Sequence, residues 1–313
     1  MTDEAARLAR LRRVGWALTC LCLAVVGLSA WLRFAGAGLG CADWPGCYAA
    51  FLGGAPHGVP AGVRIAHRLV ATLALLLAVL AVWHSRRPAP LQPVAARAVV
   101  LLGLMLVLSV VGIWSADPRR VPVALANLLG GLVLVVLAHR VALAASPQGA
   151  AGIASPAPVP GRRPGLLGRT GLGLLAAAVL AGAFIGVRYA ATACLSLTGC
   201  GGPDMVAALG VLADVDLLAS PTVTPPGDAG GAALHLLHRL LGFAALLVLG
   251  TAAWRSWRPS RHPGALPLIA LLAVETLLGL ATVASGYSIW LAVAHNVGAA
   301  LLLAAAAAWR ASR

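Results

Sequence analysis

Charge is scarce in this chain, and lysine is absent from it altogether. Only 10% of the 313 residues are charged, whereas soluble globular proteins carry about 25%. Apolar residues make up 60% of the sequence, and the mean hydropathy is +0.92. This composition excludes a water-exposed globular fold, and it also excludes an intrinsically disordered chain. It predicts an integral membrane protein.

The formal net charge of +14 comes from arginine alone, because all 23 basic residues are Arg. These arginines lie in short runs between long apolar segments. Such runs are typical of membrane topology signals, since arginine accumulates on the cytoplasmic side of a bilayer. We therefore interpret the charge as an orientation signal for a protein whose partner is the lipid bilayer. We expect no binding to nucleic acid.

Eight apolar segments are long enough to cross a membrane as helices, which takes about 20 residues each. Together they predict an all-α integral membrane protein with eight transmembrane helices. The predicted spans are 14–33, 62–83, 98–115, 121–143, 168–187, 231–253, 264–284 and 288–309.

The distribution of arginine predicts the orientation of these spans. Sixteen of the 23 arginines lie at the two chain ends or in the connections after spans 2, 4 and 6. The positive-inside rule makes that side cytoplasmic. We expect a multi-pass protein of a bacterial-type inner (plasma) membrane, with both termini in the cytoplasm. The longer loops, 34–61 and 188–230, then lie on the outer side.

The two halves of the sequence repeat each other in order and with nearly constant spacing. The order predicts two pseudosymmetric four-helix bundles, of which the second has a loop about 18 residues longer. We expect an N-terminal bundle over 1–150, a cytoplasmic linker over 151–167 and a C-terminal bundle over 168–313. The matched positions are Arg33 and Arg188, Cys41 and Cys194, Cys47 and Cys200, His67 and His238, and Asn127 and His295.

Four of the six cysteines lie in the two long outer loops, as C-x5-C pairs. An even number of cysteines on an oxidising face favours two disulfides, one between Cys41 and Cys47 and the other between Cys194 and Cys200. Four unpaired thiols are the alternative. Zinc binding is less favoured, because no loop histidine stands at ligand spacing from either pair.

Three histidines lie in or at the outer ends of predicted spans, where a polar side chain is costly and indicates function. His238 and His295 come from different helices of the second half at similar depth, which favours the two axial ligands of a low-spin haem b. His67 is the first-half candidate. For any one of them, a polar residue that joins two helices is the alternative. His235, one turn from His238, is a further candidate for the same pocket.

Two arginines follow these histidines directly, Arg68 after His67 and Arg239 after His238. A guanidinium group pairs well with carboxylates, so both are candidates to bind haem propionates. Glu275 lies in the middle of span 7. A carboxyl group at that depth is either a proton relay or a protonated hydrogen-bonding group.

The sequence resembles the haem A synthase family over essentially its whole length. The resemblance rests on the stretch Arg33-Phe-Ala-Gly-Ala-Gly-Leu-Gly-Cys41-Ala-Asp-Trp-Pro-Gly-Cys47, on Ile65-Ala-His67-Arg68, on His235-Leu-Leu-His238-Arg239 and on Leu291-Ala-Val-Ala-His295-Asn296. It implies oxidation of the C8 methyl of haem O to the formyl of haem A for cytochrome oxidase assembly. It also implies that His238 and His295 bind the iron of haem b.

In this family, the first half binds the substrate haem O through two histidines, with a glutamate nearby. The resemblance therefore implies that His67 binds the substrate iron and is the catalytic residue. This sequence departs from the family pattern at Arg64, where a glutamate is expected, and at Asn127, where the second histidine is expected. The implied partners are haem O, a haem O synthase and an electron donor that the sequence does not identify.

These departures leave a second function open, namely a non-catalytic haem b carrier or oxidase assembly factor with the same fold. A transporter is a third class, because such repeats are common in transporters. It is less favoured, since no span is interrupted by Gly or Pro beside a polar substrate site.

Overall fold

The computed structural model describes residues 3–37, 58–116, 120–146, 165–194, 196–197, 200, 210–213, 216–218, 229–260 and 264–311. This part of the chain is helical throughout and contains no strand. Its long helices are α1 (Asp3–Gly36), α2 (Ala61–Arg86), α3 (Val94–Val111), α4 (Val121–Ala144), α5 (Leu166–Val187), α6 (Ala229–Ser260), α7 (Ala265–Ala284) and α8 (Ile289–Ala311). All eight are long and apolar enough to cross a membrane, which confirms the predicted eight-helix membrane fold.

Helical structure follows from the solvent that these segments meet. A bilayer offers no hydrogen bonds to the backbone, so each spanning segment satisfies its own amide and carbonyl groups as a helix. Helix α2 illustrates how such a helix is placed. It buries small residues against its neighbours at Ala74, Ala78 and Ala81, and it exposes a stripe of large apolar residues to the surroundings, formed by Ile65, Leu69, Leu73, Leu76 and Leu80.

The helices of the first half form a closed ring of contacts. Each of α1, α2, α3 and α4 packs against the next, and α1 also packs against α4. In the second half, α5 packs against α6, α6 against α7 and α7 against α8. The halves meet where α8 contacts α1 and α4 and where α4 contacts α5. Most of the predicted linker, up to residue 164, lies outside the described residues.

Two glycines allow the closest helix crossings. A Cβ atom at Gly15 of α1 would lie 2.7 Å from the backbone of Ala142 in α4. A Cβ atom at Gly171 of α5 would lie 2.8 Å from the backbone of Leu249 in α6. Small residues let backbones approach in membranes, where helix association depends on van der Waals packing rather than on a hydrophobic driving force.

The two halves use these matched glycines differently. Gly15 and Gly171 are 156 residues apart, close to the spacing of the repeat, yet one brings α1 onto α4 and the other brings α5 onto α6. No comparable interface joins α5 and α8 in the described part of the chain. In the first half, by contrast, the equivalent helices α1 and α4 pack closely against each other. The first bundle is therefore closed, and the second is open between α5 and α8.

One of the two expected disulfides is present. Cys194 and Cys200 are bonded, with their Cα atoms 4.6 Å apart, as the sequence predicts. Cys41 and Cys47 lie outside the described residues. The free cysteines of the described part are Cys20 and Cys22, both in α1.

The packing at Gly171 makes the first testable prediction. Gly171→Ala should destabilise the protein by about 1–3 kcal/mol, because overpacking against the Leu249 backbone forces α5 away from α6. Gly173→Ala is the matched control, since nothing lies within 4 Å of a Cβ atom there. Thermal unfolding in mild detergent should give a lower midpoint for Gly171→Ala only. Equal midpoints for the two variants would contradict the close crossing.

Candidate functional site

A cavity of about 350 Å³ opens between the helices of the second half. Its walls are mostly apolar, and the first half contributes to them through Phe34 of α1 and through Leu128 and Leu132 of α4. Few polar side chains face this space. The histidine, charged and amide side chains among them are His235, His238, Arg239, Glu275, His295 and Asn296, and hydroxyl side chains line it at Tyr189, Thr276, Thr282 and Tyr287. An apolar cavity with a few convergent polar groups is the usual form of a cofactor site.

The structure brings His238 and His295 together across this cavity. Their ring centroids are 6.1 Å apart, and the ring planes are nearly perpendicular, at 80°. Imidazole nitrogens bind transition metals at about 2 Å, so two rings on opposite sides of one ion have centroids about 6 Å apart. The observed spacing therefore fits one metal ion between the two histidines.

The Nδ1 atom of each ring faces a polar group on a neighbouring helix. His238 Nδ1 is hydrogen-bonded to the carbonyl oxygen of Ala178 in α5, at 2.8 Å. His295 Nδ1 lies 3.1 Å from Oε1 of Glu275 in α7. This contact is short, although its alignment departs from that of a hydrogen bond. When Nδ1 carries the proton and faces an acceptor, Nε2 is the unprotonated nitrogen that can bind a metal.

Glycines make room for both rings. A Cβ atom at Gly182 of α5 would lie 2.8 Å from Cε1 of His238. A Cβ atom at Gly279 of α7 would lie 3.2 Å from Cε1 of His295. Because each imidazole rests against the backbone of the facing helix, its rotation is restricted. The pair is thereby held in one arrangement.

Arg239 lines the cavity with part of its guanidinium group unsatisfied. Its Nη1 donates to the carbonyl oxygen of Leu197, at 3.1 Å. Its Nη2 is buried and has no hydrogen-bond partner among the described residues. A buried donor without a partner is costly, and a carboxylate is the natural partner of a guanidinium group. The geometry therefore suits the expected role of Arg239 toward a haem propionate.

His235 faces the same cavity but uses its Nε2 atom elsewhere. That atom is hydrogen-bonded to the carbonyl oxygen of Ala190, at 2.9 Å, and the ring contacts Tyr287 edge to face. Burial raises the pKa of Tyr287 to about 12, so its hydroxyl stays protonated and donates to the carbonyl oxygen of Cys194, at 2.6 Å. His235 and Tyr287 thus hold the segment that carries the disulfide against the cavity.

The remaining site candidates lie in the first half and do not reach this cavity. His67 Nε2 is hydrogen-bonded to Oγ of Ser29 in α1, at 2.8 Å. Asn127 of α4 is partly buried, and Arg64 and Arg68 are both exposed on α2. Neither of the family departures, Arg64 and Asn127, lines the cavity that His238 and His295 face.

Within one turn, helix α1 makes a hydrogen bond to His67 in the first half and another to Asn296 in the second half. Four residues after Ser29, Arg33 Nη2 donates to Oδ1 of Asn296, at 3.1 Å. Asn296 directly follows His295, and its Nδ2 donates to the carbonyl oxygen of Ala292, at 2.9 Å. In the sequence, Arg33 is recognisable as a repeat position and as the start of the family-like stretch that ends at Cys47. The sequence around Arg33 does not predict its hydrogen bond to Asn296, because that contact depends on how the two bundles pack.

The contact between Glu275 and His295, by contrast, could have been predicted from the sequence. Helices α7 and α8 are joined by only four residues, 285–288, and Gly286 in this turn has a φ of +66°. Folding a short helical hairpin about Gly286 places residue 275 opposite the residues near 297. A carboxyl group in span 7 and a histidine in span 8 therefore meet.

The fit at Gly182 makes a second prediction. Gly182→Ala should displace the His238 ring and weaken haem binding by about tenfold or more, as is typical when the support of a metal ligand is lost. Gly250→Ala in α6 is the control, because a Cβ atom there meets nothing within 4 Å. Titration of the haem-free protein with haem b measures both affinities. An unchanged affinity for Gly182→Ala would contradict the assignment of His238.

The chain is similar to known proteins over most of its length. The family model described as cytochrome oxidase assembly protein matches residues 66–307. A heme A synthase of Shewanella oneidensis is 29% identical over 306 residues, which covers 90% of each chain. A heme A synthase of Sphingopyxis alaskensis is 39% identical over 75 residues, or 24% of this chain and 21% of that one. The family match covers both halves and every histidine of the cavity, and the chain therefore belongs to the haem A synthase family.

Proposed function

We propose that this protein is a haem A synthase that oxidises the C8 methyl of haem O to the formyl of haem A for cytochrome oxidase assembly. Membership of the family and the relatives named heme A synthase support this proposal. The observation that carries it is the pair His238 and His295, whose ring centroids are 6.1 Å apart in an apolar cavity.

The second half, residues 168–313, is the cofactor half of this proposal. His238 and His295 would bind the iron of haem b through their Nε2 atoms, and Arg239 would donate to a propionate. When bound, haem b would supply one-electron transfer, at a potential that its ligands and the buried surroundings set. Phe34, Leu128 and Leu132 exclude water from the cavity.

The first half, residues 1–150, is the substrate half, and residues 151–167 link the two. His67 is the proposed ligand to the substrate iron. Its present partner, Ser29, would then have to release Nε2 or shift to another acceptor. Two hydroxylations of the methyl group would each consume one O2, two electrons and two protons and release one water. The resulting gem-diol loses water to leave the formyl group.

The setting of this reaction is the membrane itself. We infer that the protein lies in a bacterial-type inner membrane with both termini in the cytoplasm, because the arginine runs favour that side. A haem O synthase would supply the substrate, and a separate electron donor would supply the electrons. Both candidate haem sites, at His67 and at the pair in the second half, then lie toward the outer face.

A haem b carrier or assembly factor without catalytic activity is the second candidate function. It is favoured by the closed first bundle, in which α1 packs against α4. It is also favoured by the hydrogen bond that occupies His67 Nε2. In this case, haem would bind only in the second half.

The proposed activity makes a third prediction, which is tested by co-expression with a haem O synthase in a host that lacks its own haem A synthase. Chromatography of the extracted haems should show haem A. His67→Ala should abolish it, because the substrate iron loses its ligand. His84→Ala, which alters a histidine near the cytoplasmic end of α2, should retain it. Haem O alone, with the protein abundant and loaded with haem b, would contradict the synthase proposal and support the carrier.

Asn127→His separates the two functions in the same host. A histidine at this position would offer a second ligand in the first half, where an asparagine amide is a poor one. If the protein is a synthase that uses His67 alone, the new ligand closes the open coordination position and should lower the yield of haem A. A carrier gives no haem A with either residue.

A further inference from the structure

We propose that Glu275 is a positioning residue for the haem b site, which holds His295 in its ligand orientation and strengthens it as an electron donor to iron. This inference rests on the proposed function of the second half. Oε1 of Glu275 lies 3.1 Å from Nδ1 of His295. Nδ1 of His295 is buried and makes no well-aligned hydrogen bond within the described part of the chain.

The surroundings of Glu275 are shaped to keep its carboxyl group at this place. An ionisable side chain in the middle of a span is costly and is retained when it has a function. Gly298 of α8 makes room for it, because a Cβ atom there would collide with Oε2 of Glu275. Gly279 of α7 makes room for the ring of His295 in the same way. Glycines on both helices thus let the carboxyl group and the imidazole lie between closely packed backbones.

The second ligand has a different partner. His238 Nδ1 is hydrogen-bonded to the neutral backbone carbonyl of Ala178, whereas His295 Nδ1 faces a side-chain carboxyl. A carboxyl partner fixes the tautomer of a metal-bound histidine and raises its basicity. His295 would therefore be a more basic ligand than His238, and a more basic ligand favours ferric over ferrous iron. Glu275 thereby lowers the midpoint potential of the haem.

The alignment of the pair is consistent with such a role. The contact is short but poorly directed, and hydrogen bonds of functional groups are often poorly aligned until their ligand is bound. Nε2 of His295 and the carboxyl contact lie on opposite sides of the same ring. A ligand on Nε2 therefore leaves Nδ1 free to donate to Glu275.

The experiment compares Glu275→Leu and Glu275→Gln with the wild-type protein and with Thr251→Val. Thr251→Val also removes a polar group from a span, but on an exposed position of α6 where the hydroxyl donates only to Leu247 of its own helix. Each haem-free protein is titrated with haem b in detergent, and the midpoint potential of the loaded protein is measured by spectroelectrochemistry.

Glu275→Leu should weaken haem b binding by about 10- to 100-fold, the usual cost of losing such a partner, and should raise the midpoint potential. Glu275→Gln should lie between Leu and the wild type in both measurements, because its amide oxygen still accepts a hydrogen bond. Thr251→Val should match the wild type. The graded potential is the result that a purely structural role of Glu275 would not produce.

Two outcomes would overturn the inference, and they differ in what else they affect. A wild-type protein that shows no low-spin haem b would overturn the haem site and the role of Glu275 together. Normal wild-type binding with unchanged affinity and potential in the Glu275 variants would overturn the role of Glu275 alone. If Glu275→Leu does not fold, Glu275→Gln decides, because a wild-type potential in that variant contradicts the proposal.

Discussion

The Nδ1 contacts of the two histidines that face the cavity are the interactions on which the rest of the site depends. A polar group inside a bilayer has no water to satisfy it, so an imidazole without a partner would turn toward any available acceptor. The carbonyl of Ala178 and the carboxyl of Glu275 prevent this. Both Nε2 atoms would thereby be available to bind a metal. Glycine is needed at positions 182 and 279, because a Cβ atom there would lie too close to the imidazole rings.

The two halves of the sequence share matched positions, and the structure shows that their helices pack differently. The first closes α1 onto α4, while the second leaves the cavity between α5 and α8. The repeat partners Arg33 and Arg188 show the same divergence. Arg33 crosses to Asn296 beside His295, whereas Arg188 donates to the backbone of Asp216 in its own half. Because α1 also carries Ser29, the His67 and His295 regions are joined through one turn of a single helix.

The sequence was sufficient for the eight spans, because hydropathy over about 20 residues reflects the thickness of the bilayer. It also predicted from depth, repeat positions and the family resemblance that His238 and His295 share one site, and the two rings do lie 6.1 Å apart. It did not place the Ser29 contact of His67 or the crossing of Arg33, since these depend on the rotation of each helix about its axis. Helix rotation is set by close contacts such as Gly15 on Ala142, which no local pattern records.

The most direct test of the central assignment is the ferric spectrum of the haem b-loaded protein, with haem content per chain measured as the pyridine haemochrome. A haem b that is low-spin in the wild type and in His67→Ala should become high-spin or be lost in His238→Ala and in His295→Ala, because each removes one strong-field ligand. A low-spin spectrum that persists in both His238→Ala and His295→Ala would contradict the account.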